Sequence, residues 1–227
     1  MAIYTKLNKE KISSILSNYS LGNIKKFEGI KEGIENTNYL IETDRGKYIL
    51  TIYEKRVNKD DLPFFSELMV ELSKKNFICP KPVPNKNNKY ISDFENKKFM
   101  IVSYLEGKSK KNLSPSECKV VGRETARLHG LTKNFHFKRQ NDLSVKSWRK
   151  IFDQVKDKCN KIHSDLPKLI EGNLIDIEKD WPNDLPEGII HADLFSDNIL
   201  FKKNKISGFI DFYFSCNDFY AFEIAIC

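Results

Sequence analysis

Apolar and polar residues follow two different periodicities in the first part of the chain. Apolar positions recur at helical spacing in residues 7–18 and again in 61–75, where Asp61 stands at the start as a cap. Between these segments, apolar and polar residues alternate in 39–41 and in 48–52, on either side of a glycine-containing turn. The pattern predicts two helices and a pair of strands.

The pattern changes from strand-rich to helical near the middle of the chain. Three prolines within residues 80–84 exclude regular structure there, and 89–92 and 98–105 then read as another pair of strands. Helical periodicity follows from Ser114 to about His129. Two further segments with helical periodicity are 144–164 and 168–179.

The change of composition near Glu106 and Gly107 predicts an α+β chain of two lobes. We expect residues 1–105 to form an N-lobe with an antiparallel sheet and a helix, and residues 106–227 to form a mostly helical C-lobe. The chain ends in the apolar segment 218–227, which is typical of the first turns of a buried helix. We therefore expect a chain that is truncated at its C-terminal end, with an incomplete C-lobe.

Charge narrows the class of partner. The 227 residues include 38 Lys and Arg against 31 Asp and Glu, so the formal net charge is +7. The lysines are spread along the chain among acidic residues, which is typical of a solvated surface and not of a nucleic-acid-binding stripe. We expect no nucleic-acid partner, although a positive field also suits an anionic substrate such as a nucleotide.

Hydropathy and cysteine content bear on the compartment. No apolar run approaches the ~20 residues of a membrane-spanning helix, and the first residues show no secretory signal. The five cysteines are odd in number, widely spaced and without a Cys-x-x-Cys pair, which argues against a disulfide framework or a zinc site. We expect a cytoplasmic protein with reduced thiols and no membrane partner, and the sequence leaves its oligomeric state open.

The strongest chemical signal is the segment 191–198, with the spacing His-x-Asp-x4-Asn, followed by two apolar runs and Asp211. Kinases arrange their catalytic loop and metal-binding aspartate in this order. In phosphoryl transfer one carboxylate takes the proton of the attacking hydroxyl, a role that suits Asp193. An amide oxygen and a second carboxylate hold Mg²⁺ against the triphosphate, which suits Asn198 and Asp211. A turn with incidental polar residues is the alternative, but three polar types at fixed spacings in apolar flanks favour the kinase interpretation.

With these residues the chain resembles the aminoglycoside phosphotransferase and choline kinase superfamily. The strings IENTNY at 34–39, DLPFF at 61–65 and IDFYF at 210–214 narrow the resemblance to the homoserine kinases of bacterial threonine synthesis. Strings that resemble this family occur from about residue 29 to the last residue, so the resemblance covers nearly the whole chain. The resemblance implies a bilobal, protein-kinase-like fold, ATP and Mg²⁺ as cofactors, and L-homoserine as the small-molecule substrate.

The resemblance also implies roles for the catalytic-loop residues. Asp193 is expected to be the catalytic base, His191 to orient the loop, and Asn198 and Asp211 to bind Mg²⁺. Two alternatives stay open. The first is that the chain is another kinase of the superfamily, which acts on an amino alcohol, a sugar or an aminoglycoside. The second is that it is a non-catalytic nucleotide-binding fragment.

A second candidate site is the loop between the opening helix and the first strand. Gly29 and Gly33 are four residues apart and would let the backbone approach phosphate oxygens closely. The residues of this loop that would add side-chain hydrogen bonds are Asn36, Thr37 and Asn38. A plain loop or a hairpin turn is the alternative, and the presence of a catalytic loop in the same chain favours a loop that covers phosphates.

The segment 101–107 is expected to connect the lobes, with the backbone of Ser103 and Leu105 near the adenine of ATP. One departure from protein kinases concerns the lysine of the third strand, because Thr51 stands at that inward site. Either a neighbouring cation replaces the lysine, or the phosphates rely on metal and backbone alone. The neighbouring cations are Lys47, Lys55 and Arg56.

Other polar and aromatic residues have both a functional and a structural interpretation. Glu67 and Glu71 are equal candidates for the acid that kinases carry on the helix after the third strand. Trp148 and Trp181 would either face the acceptor or, more often for such residues, pack.

The last part of the chain carries two acids, Asp218 and Glu223, with two roles to divide between them. One acid would receive the ammonium group of an amino-acid substrate. The other role is structural, as an acid that braces the catalytic loop through backbone N–H groups, and we expect Asp218 to take it.

Overall fold

The structure is a computed structural model that describes residues 3–31, 35–54 and 57–227. Helices and strands alternate in the first half of the chain, and helices dominate the second. The helices are α1 (Lys9–Leu16), α2 (Leu62–Lys74), α3 (Pro115–Thr132), α4 (Val145–Cys159), α5 (Leu166–Asp180) and α6 (Tyr220–Ile226). The strands are β1 (Ile24–Gly29), β2 (Thr37–Thr43), β3 (Lys47–Ile52), β4 (Ile91–Phe94), β5 (Lys97–Ser103), β6 (Glu187–Ile190), β7 (Ile199–Lys202), β8 (Lys205–Phe209) and β9 (Cys216–Phe219).

The first five strands form one antiparallel sheet in the order β1-β2-β3-β5-β4. Its two faces pack against different helices. Ile41 and Leu50 belong to the buried cluster that includes the apolar face of α1. Met100 and Val102 belong to the cluster that includes α2. The sheet therefore lies between two amphipathic helices, whose apolar faces the sequence periodicity predicts.

The second half of the chain shares a core with α2. Leu68 of α2, Leu128 of α3 and Phe209 of β8 belong to one buried cluster, together with Phe212. Burying a side chain of this size contributes roughly 1.5–3 kcal/mol each. Two small antiparallel pairs, β6–β9 and β7–β8, lie beside this core and frame the segment that carries the kinase-like motif.

The predicted α+β class is confirmed, with an antiparallel sheet followed by a mostly helical half. The predicted loop begins later than expected, because Gly29 belongs to a strand. Gly29 is the last residue of β1, which pairs with β2, so the loop is the connection of a β-hairpin. The alternation in β1 is weak because it is an edge strand with several exposed charged residues.

Two further boundaries differ from the predictions. The predicted strand at 89–92 lies two residues later, as β4. The predicted helix at Asp218 begins only at Tyr220, and Asp218 belongs to β9, where it pairs with Gly188. A short apolar run does not distinguish a strand from the first turn of a helix, so periodicity cannot place this boundary.

The connection between the sheet and α3 requires glycine at one position. Gly107 has a φ of +146°, and a Cβ there would lie 2.4 Å from Ser207 Oγ and 3.0 Å from the Phe201 carbonyl oxygen. The chain passes close to the β7–β8 hairpin at this point. Within the described ranges, no helix has both the length and the apolar character needed to span a membrane.

Candidate active site

The kinase-like segment is a turn held between β6 and the β7–β8 hairpin. The chain leaves β6 at Ile190, passes through a short 3₁₀ turn at Ser196–Asn198 and enters β7 directly. The backbone N–H of Ile210 donates to the carbonyl oxygen of Asn198 at 3.0 Å. Because β7 and β8 pair up to this point, Asp211 is returned to the turn that holds Asp193.

Asn198 holds Asp193 in place. Its amide Nδ2 donates to the Asp193 carbonyl oxygen at 2.7 Å and to the Asp193 Oδ2 at 3.0 Å. Asn198 is largely buried, at 9% exposure, so this amide cannot turn freely. Both N–H groups thus face Asp193, and the amide oxygen is directed away from it.

His191 is a buried link between the two parts of the motif. It is fully buried, and its Nε2 lies 2.9 Å from the carbonyl oxygen of Ile210, next to Asp211. Burial lowers the pKa of His191, so we assign a neutral imidazole with its proton on Nε2. The Phe212 ring packs against the imidazole with a centroid separation of 4.6 Å. The ring is thus held between the Ile210 carbonyl oxygen and Phe212, and the orienting role of His191 stays a prediction.

Glu223, and not Asp218, braces the catalytic loop. The Glu223 carboxylate is fully buried and accepts hydrogen bonds from the backbone N–H groups of His191 and Ala192. Asp218 instead accepts from the Asn141 Nδ2 at 2.6 Å. The expectation that Asp218 is the bracing acid is therefore wrong. Asp218 belongs to β9, whereas Glu223 lies on α6, which places its carboxylate next to the end of β6.

Two histidines surround the Glu223 carboxylate. Burial by itself would raise the pKa of Glu223, but the His129 side chain and the His191 imidazole and backbone N–H outweigh it and hold the pKa below its usual value. The His129 Nε2 lies 3.6 Å from Glu223 Oε2, and its ring stacks on Tyr220 at a centroid separation of 4.2 Å. Glu223 is therefore a carboxylate in the folded protein.

Replacing Glu223 by glutamine is expected to destabilise the protein by about 1–3 kcal/mol, because an amide N–H₂ group would face backbone donors in a buried site. Chemical denaturation of the variant would measure the loss. The matched control is Glu178→Gln, which removes an exposed partner of Arg149 and should change stability by less than about 0.5 kcal/mol. Equal stability of the two variants would contradict the bracing role of Glu223.

Part of Asp211 is open to solvent, but protein atoms and acidic groups lie densely around its carboxylate. Desolvation by the surrounding protein and then the carboxylates of Asp193, Glu35 and Asp197 raise the pKa of Asp211 to about 7. The backbone of Asp211 has a φ of +66°, in the left-handed region that Asp tolerates better than most residues. A carboxylate in this setting favours the approach of a cation.

The structure places the polar residues of the N-lobe loop against neighbouring side chains. The Thr37 hydroxyl donates to Glu54 Oε1 at 2.7 Å, and the Asn36 Oδ1 accepts from the Glu54 backbone N–H at 3.3 Å. The Ile3 side chain fills the space beside Gly29, where a Cβ would lie 2.4 Å from Ile3 Cδ1. Gly33 lies outside the described residues.

Glu54 is an organising residue that the sequence pattern does not reveal. It accepts from the Thr5 hydroxyl at 2.7 Å and pairs with Lys97, whose ammonium also donates to the Thr5 hydroxyl at 2.6 Å. Burial would raise the pKa of Glu54, but Lys97 and the two threonine hydroxyls outweigh it and hold the pKa below its usual range. Its partners are far apart in sequence, so no local motif marks this cluster.

The site of the missing lysine is filled by a hydroxyl and an amide. The Thr51 hydroxyl donates to the Asn38 Oδ1 at 2.8 Å, across the β2–β3 pair. The candidate cations Lys55 and Arg56 lie outside the described residues. Lys47 lies 3.7 Å from Glu42, an exposed pair on the sheet. Because the amide oxygen of Asn38 accepts from Thr51, its N–H₂ group is directed away from Thr51.

The helix acids and the tryptophans have local partners. Glu71 pairs at 2.9 Å with Lys75, the residue that follows α2, and no ion pair of Glu67 is found in the part of the chain that the structure describes. The rings of Trp148 and Trp181 pack edge to face at 5.3 Å, at the base of the α4–α5 hairpin. This arrangement agrees with the packing interpretation of both tryptophans.

The segment between the lobes carries the two residues whose backbone is predicted to contact adenine, Ser103 and Leu105. The Ser103 N–H donates to the Lys81 carbonyl oxygen at 2.9 Å. Among the residues described, the Leu105 N–H has no hydrogen-bond partner. Of the two predicted adenine contacts, Leu105 is the one whose backbone donor is available.

Comparison with known proteins supplies the context for this geometry. A family profile described as "Phosphotransferase enzyme family" matches residues 26–227. The chain is 42% identical over all of its 227 residues to a homoserine kinase of Rhizobium meliloti (strain 1021), and it spans 70% of that protein.

Solved structures share the fold. A choline kinase from Cryptosporidium parvum Iowa II superposes with a TM-score of 0.71 at 22% identity, over 96% of this chain and 68% of that one. The amicoumacin kinase hAmiN, in complex with AMP-PNP, Ca²⁺ and Ami, superposes with a TM-score of 0.69 at 17% identity, over 97% of this chain and 68% of that one. The predicted bilobal, kinase-like fold is thereby confirmed.

Proposed function

The chain belongs to the phosphotransferase enzyme family, and on that basis we propose that it transfers the γ-phosphoryl group of ATP to the hydroxyl of L-homoserine. The observation that carries the proposal is the 42% identity to a homoserine kinase across the whole chain. The arrangement of the motif supports it. Asn198 donates to Asp193 within one turn, and the β7–β8 hairpin brings Asp211 back beside that turn, so the three groups that phosphoryl transfer uses lie together.

Asp193 is the proposed catalytic base. The terminal hydroxyl of homoserine attacks the γ-phosphorus in line with the leaving oxygen of ADP, and Asp193 accepts its proton. The two hydrogen bonds from Asn198 fix the orientation of the Asp193 carboxylate before the substrate arrives. Most of the acceleration then comes from positioning and from neutralisation of charge, since no covalent intermediate is needed.

Asn198 and Asp211 are the proposed ligands of Mg²⁺. The amide N–H₂ group of Asn198 donates to Asp193, so the amide oxygen of Asn198 is left as a neutral ligand. Asp211 lies among other carboxylates. An amide and a carboxylate suit Mg²⁺, which completes its shell with phosphate oxygens and water. Asn198 and Asp211 would hold the metal, which would supply positive charge to offset that of the phosphates.

The N-lobe is proposed to hold the nucleotide. We place the boundary between the lobes at residues 105 and 106, with the Leu105 backbone N–H as the donor to the adenine edge. The hairpin connection between β1 and β2 is proposed to cover the phosphates, with Asn38 oriented by Thr51. The product, O-phospho-L-homoserine, places the enzyme in threonine synthesis, and we propose the cytoplasm as its compartment.

The acceptor is tested by a comparison of kcat/KM in a coupled ADP-release assay. We expect L-homoserine to be preferred over L-threonine, L-serine, choline and kanamycin by at least tenfold, because hydrogen-bonding sites reject acceptors that leave buried polar groups unpaired. An assay without acceptor gives the background of ATP hydrolysis. Choline or kanamycin as the best acceptor would contradict the assignment of the substrate and leave the fold unaffected.

A further inference from the structure

Arg139 is a nearly buried cation in the segment between α3 and α4, and the proposed chemistry does not use it. Its side chain is 12% exposed. It lies in no helix or strand and in no motif of the sequence. Its hydrogen bonds nevertheless reach both halves of the molecule, because a guanidinium presents five N–H donors in different directions.

On the N-lobe side, Arg139 contacts the start of α2. Its Nε donates to Asp61 Oδ2 at 2.7 Å, and its guanidinium lies over the Phe65 ring at 5.2 Å from the centroid. Asp61 is the residue that precedes α2, but its side chain makes no capping hydrogen bond to the helix. The expectation that Asp61 caps α2 with its side chain is therefore wrong, because its carboxylate is directed to Arg139.

On the C-lobe side, Arg139 contacts the segment that follows Asp211. Its NH1 group donates to the carbonyl oxygens of Phe214 and Ser215, each at 3.4 Å. Its backbone is fixed on β9, since the Asn217 N–H donates to the Arg139 carbonyl oxygen at 2.7 Å and the Arg139 N–H donates to Asn217 Oδ1 at 3.0 Å.

We propose that Arg139 is a positioning residue that couples α2 of the N-lobe to the segment after Asp211, and so sets the distance between the nucleotide and the catalytic loop during phosphoryl transfer. The proposal rests on the proposed kinase function. A planar guanidinium bonds to Asp61 and to two carbonyl oxygens together only when α2 and the 214–217 segment keep this arrangement. A lysine ammonium at the same place cannot span all three groups.

The test compares Arg139→Lys, Asp61→Asn and the double variant. We expect kcat with L-homoserine to fall about tenfold in each single variant, with both KM values within about threefold, because a misplaced reaction geometry lowers the rate more than binding. The double variant should also lose about tenfold, and not a hundredfold, because both substitutions break one link.

The matched control is Asp142→Asn. Asp142 pairs with the same guanidinium from within the same segment, and its side chain is 72% exposed. Its loss leaves the link to Asp61 intact, so kcat should stay within about twofold of wild type. If the Arg139 and Asp61 variants melt earlier but keep the wild-type kcat per folded molecule, or if their effects on kcat multiply, then the coupling is absent.

Hydrogen exchange separates this proposal from the choice of substrate. MgATP is expected to protect the amides of the first turn of α2 and of residues 214–217 together in the wild type, and only those of 214–217 in Arg139→Lys. Equal protection of both segments in the two proteins would overturn the proposal. Failure of the wild type to phosphorylate L-homoserine would defeat the proposed substrate alone, since the exchange comparison still decides the role of Arg139.

Discussion

Asp193→Asn is expected to lower kcat by roughly 10²–10⁴-fold, which is the range of general-base contributions. The dissociation constant of MgATP should stay within about threefold, because the carboxylate acts on the acceptor hydroxyl and not on the nucleotide. Asparagine keeps the size of the side chain and can still accept from Asn198, so the loop should retain its geometry. Steady-state kinetics and calorimetric titration with MgATP give the two numbers.

Asp197→Asn is the matched control for this result. Asp197 is an exposed carboxylate of the same turn, four residues from Asp193, and of the three carboxylates that raise the pKa of Asp211 it has the smallest effect. Its loss should change kcat by less than about threefold. If Asp193→Asn keeps more than about a tenth of the wild-type kcat, Asp193 is not the base.

Asp211→Asn is expected to weaken MgATP binding by one to two orders of magnitude and to lower kcat as well, because the proposed Mg²⁺ site would lose its charged ligand. Asparagine tolerates the left-handed backbone at this position, so a loss of strain or fold is not expected. Without nucleotide, the variant should be as stable as the wild type or more stable, since the repulsion between Asp211 and Asp193 is removed. Thermal melts with and without MgATP measure both effects.

The pH dependence of MgATP binding gives a second readout for Asp211. With a pKa of about 7, Asp211 is mostly protonated at pH 6 and mostly ionised at pH 8. A proton competes with the metal, so the affinity of the wild type should fall about tenfold from pH 8 to pH 6. In Asp211→Asn this change should be absent apart from the titration of ATP itself. Parallel profiles of the two proteins would place the metal elsewhere.

The same pKa has a consequence for the ligand-free fold. The folded state raises the pKa of Asp211 from 3.8 to about 7, so it binds this proton more tightly than the unfolded chain does. The stabilisation is complete below about pH 4 and is lost as the pH rises through 7. The melting temperature of the ligand-free wild type should therefore decline over this window more than that of Asp211→Asn.

The close arrangement of Asp193, Asn198 and Asp211 could be predicted because it is encoded locally in the sequence, whereas their catalytic roles stay a prediction. Asp193 and Asn198 lie in one turn, and the β7–β8 hairpin returns the chain to that turn at Asp211, so a fixed spacing encodes the geometry. The amphipathic helices and alternating strands are encoded in the same local way. These elements were enough to predict the fold class. The edge strand β1 could not be predicted, because its apolar and polar residues alternate only weakly.

The supporting contacts could not be predicted, because they join distant parts of the chain. Glu223 braces residues more than 30 positions away, and Arg139 contacts Asp61 across 78 positions. The choice between Asp218 and Glu223 depends on the register of β9 against β6, which puts Asp218 opposite Gly188 and leaves Glu223 on the helix that returns to the loop. The Glu54 cluster depends on the close approach of Thr5 and Lys97, which no spacing in the sequence reveals.

The most direct test of the central claim is phosphorus NMR of the purified protein incubated with MgATP and L-homoserine. We expect stoichiometric appearance of ADP and of a phosphomonoester on the homoserine side-chain hydroxyl, and no such signal above background with Asp193→Asn. Formation of inorganic phosphate and ADP without a homoserine phosphomonoester, or an equal yield of the phosphomonoester from the Asp193 variant, would contradict it.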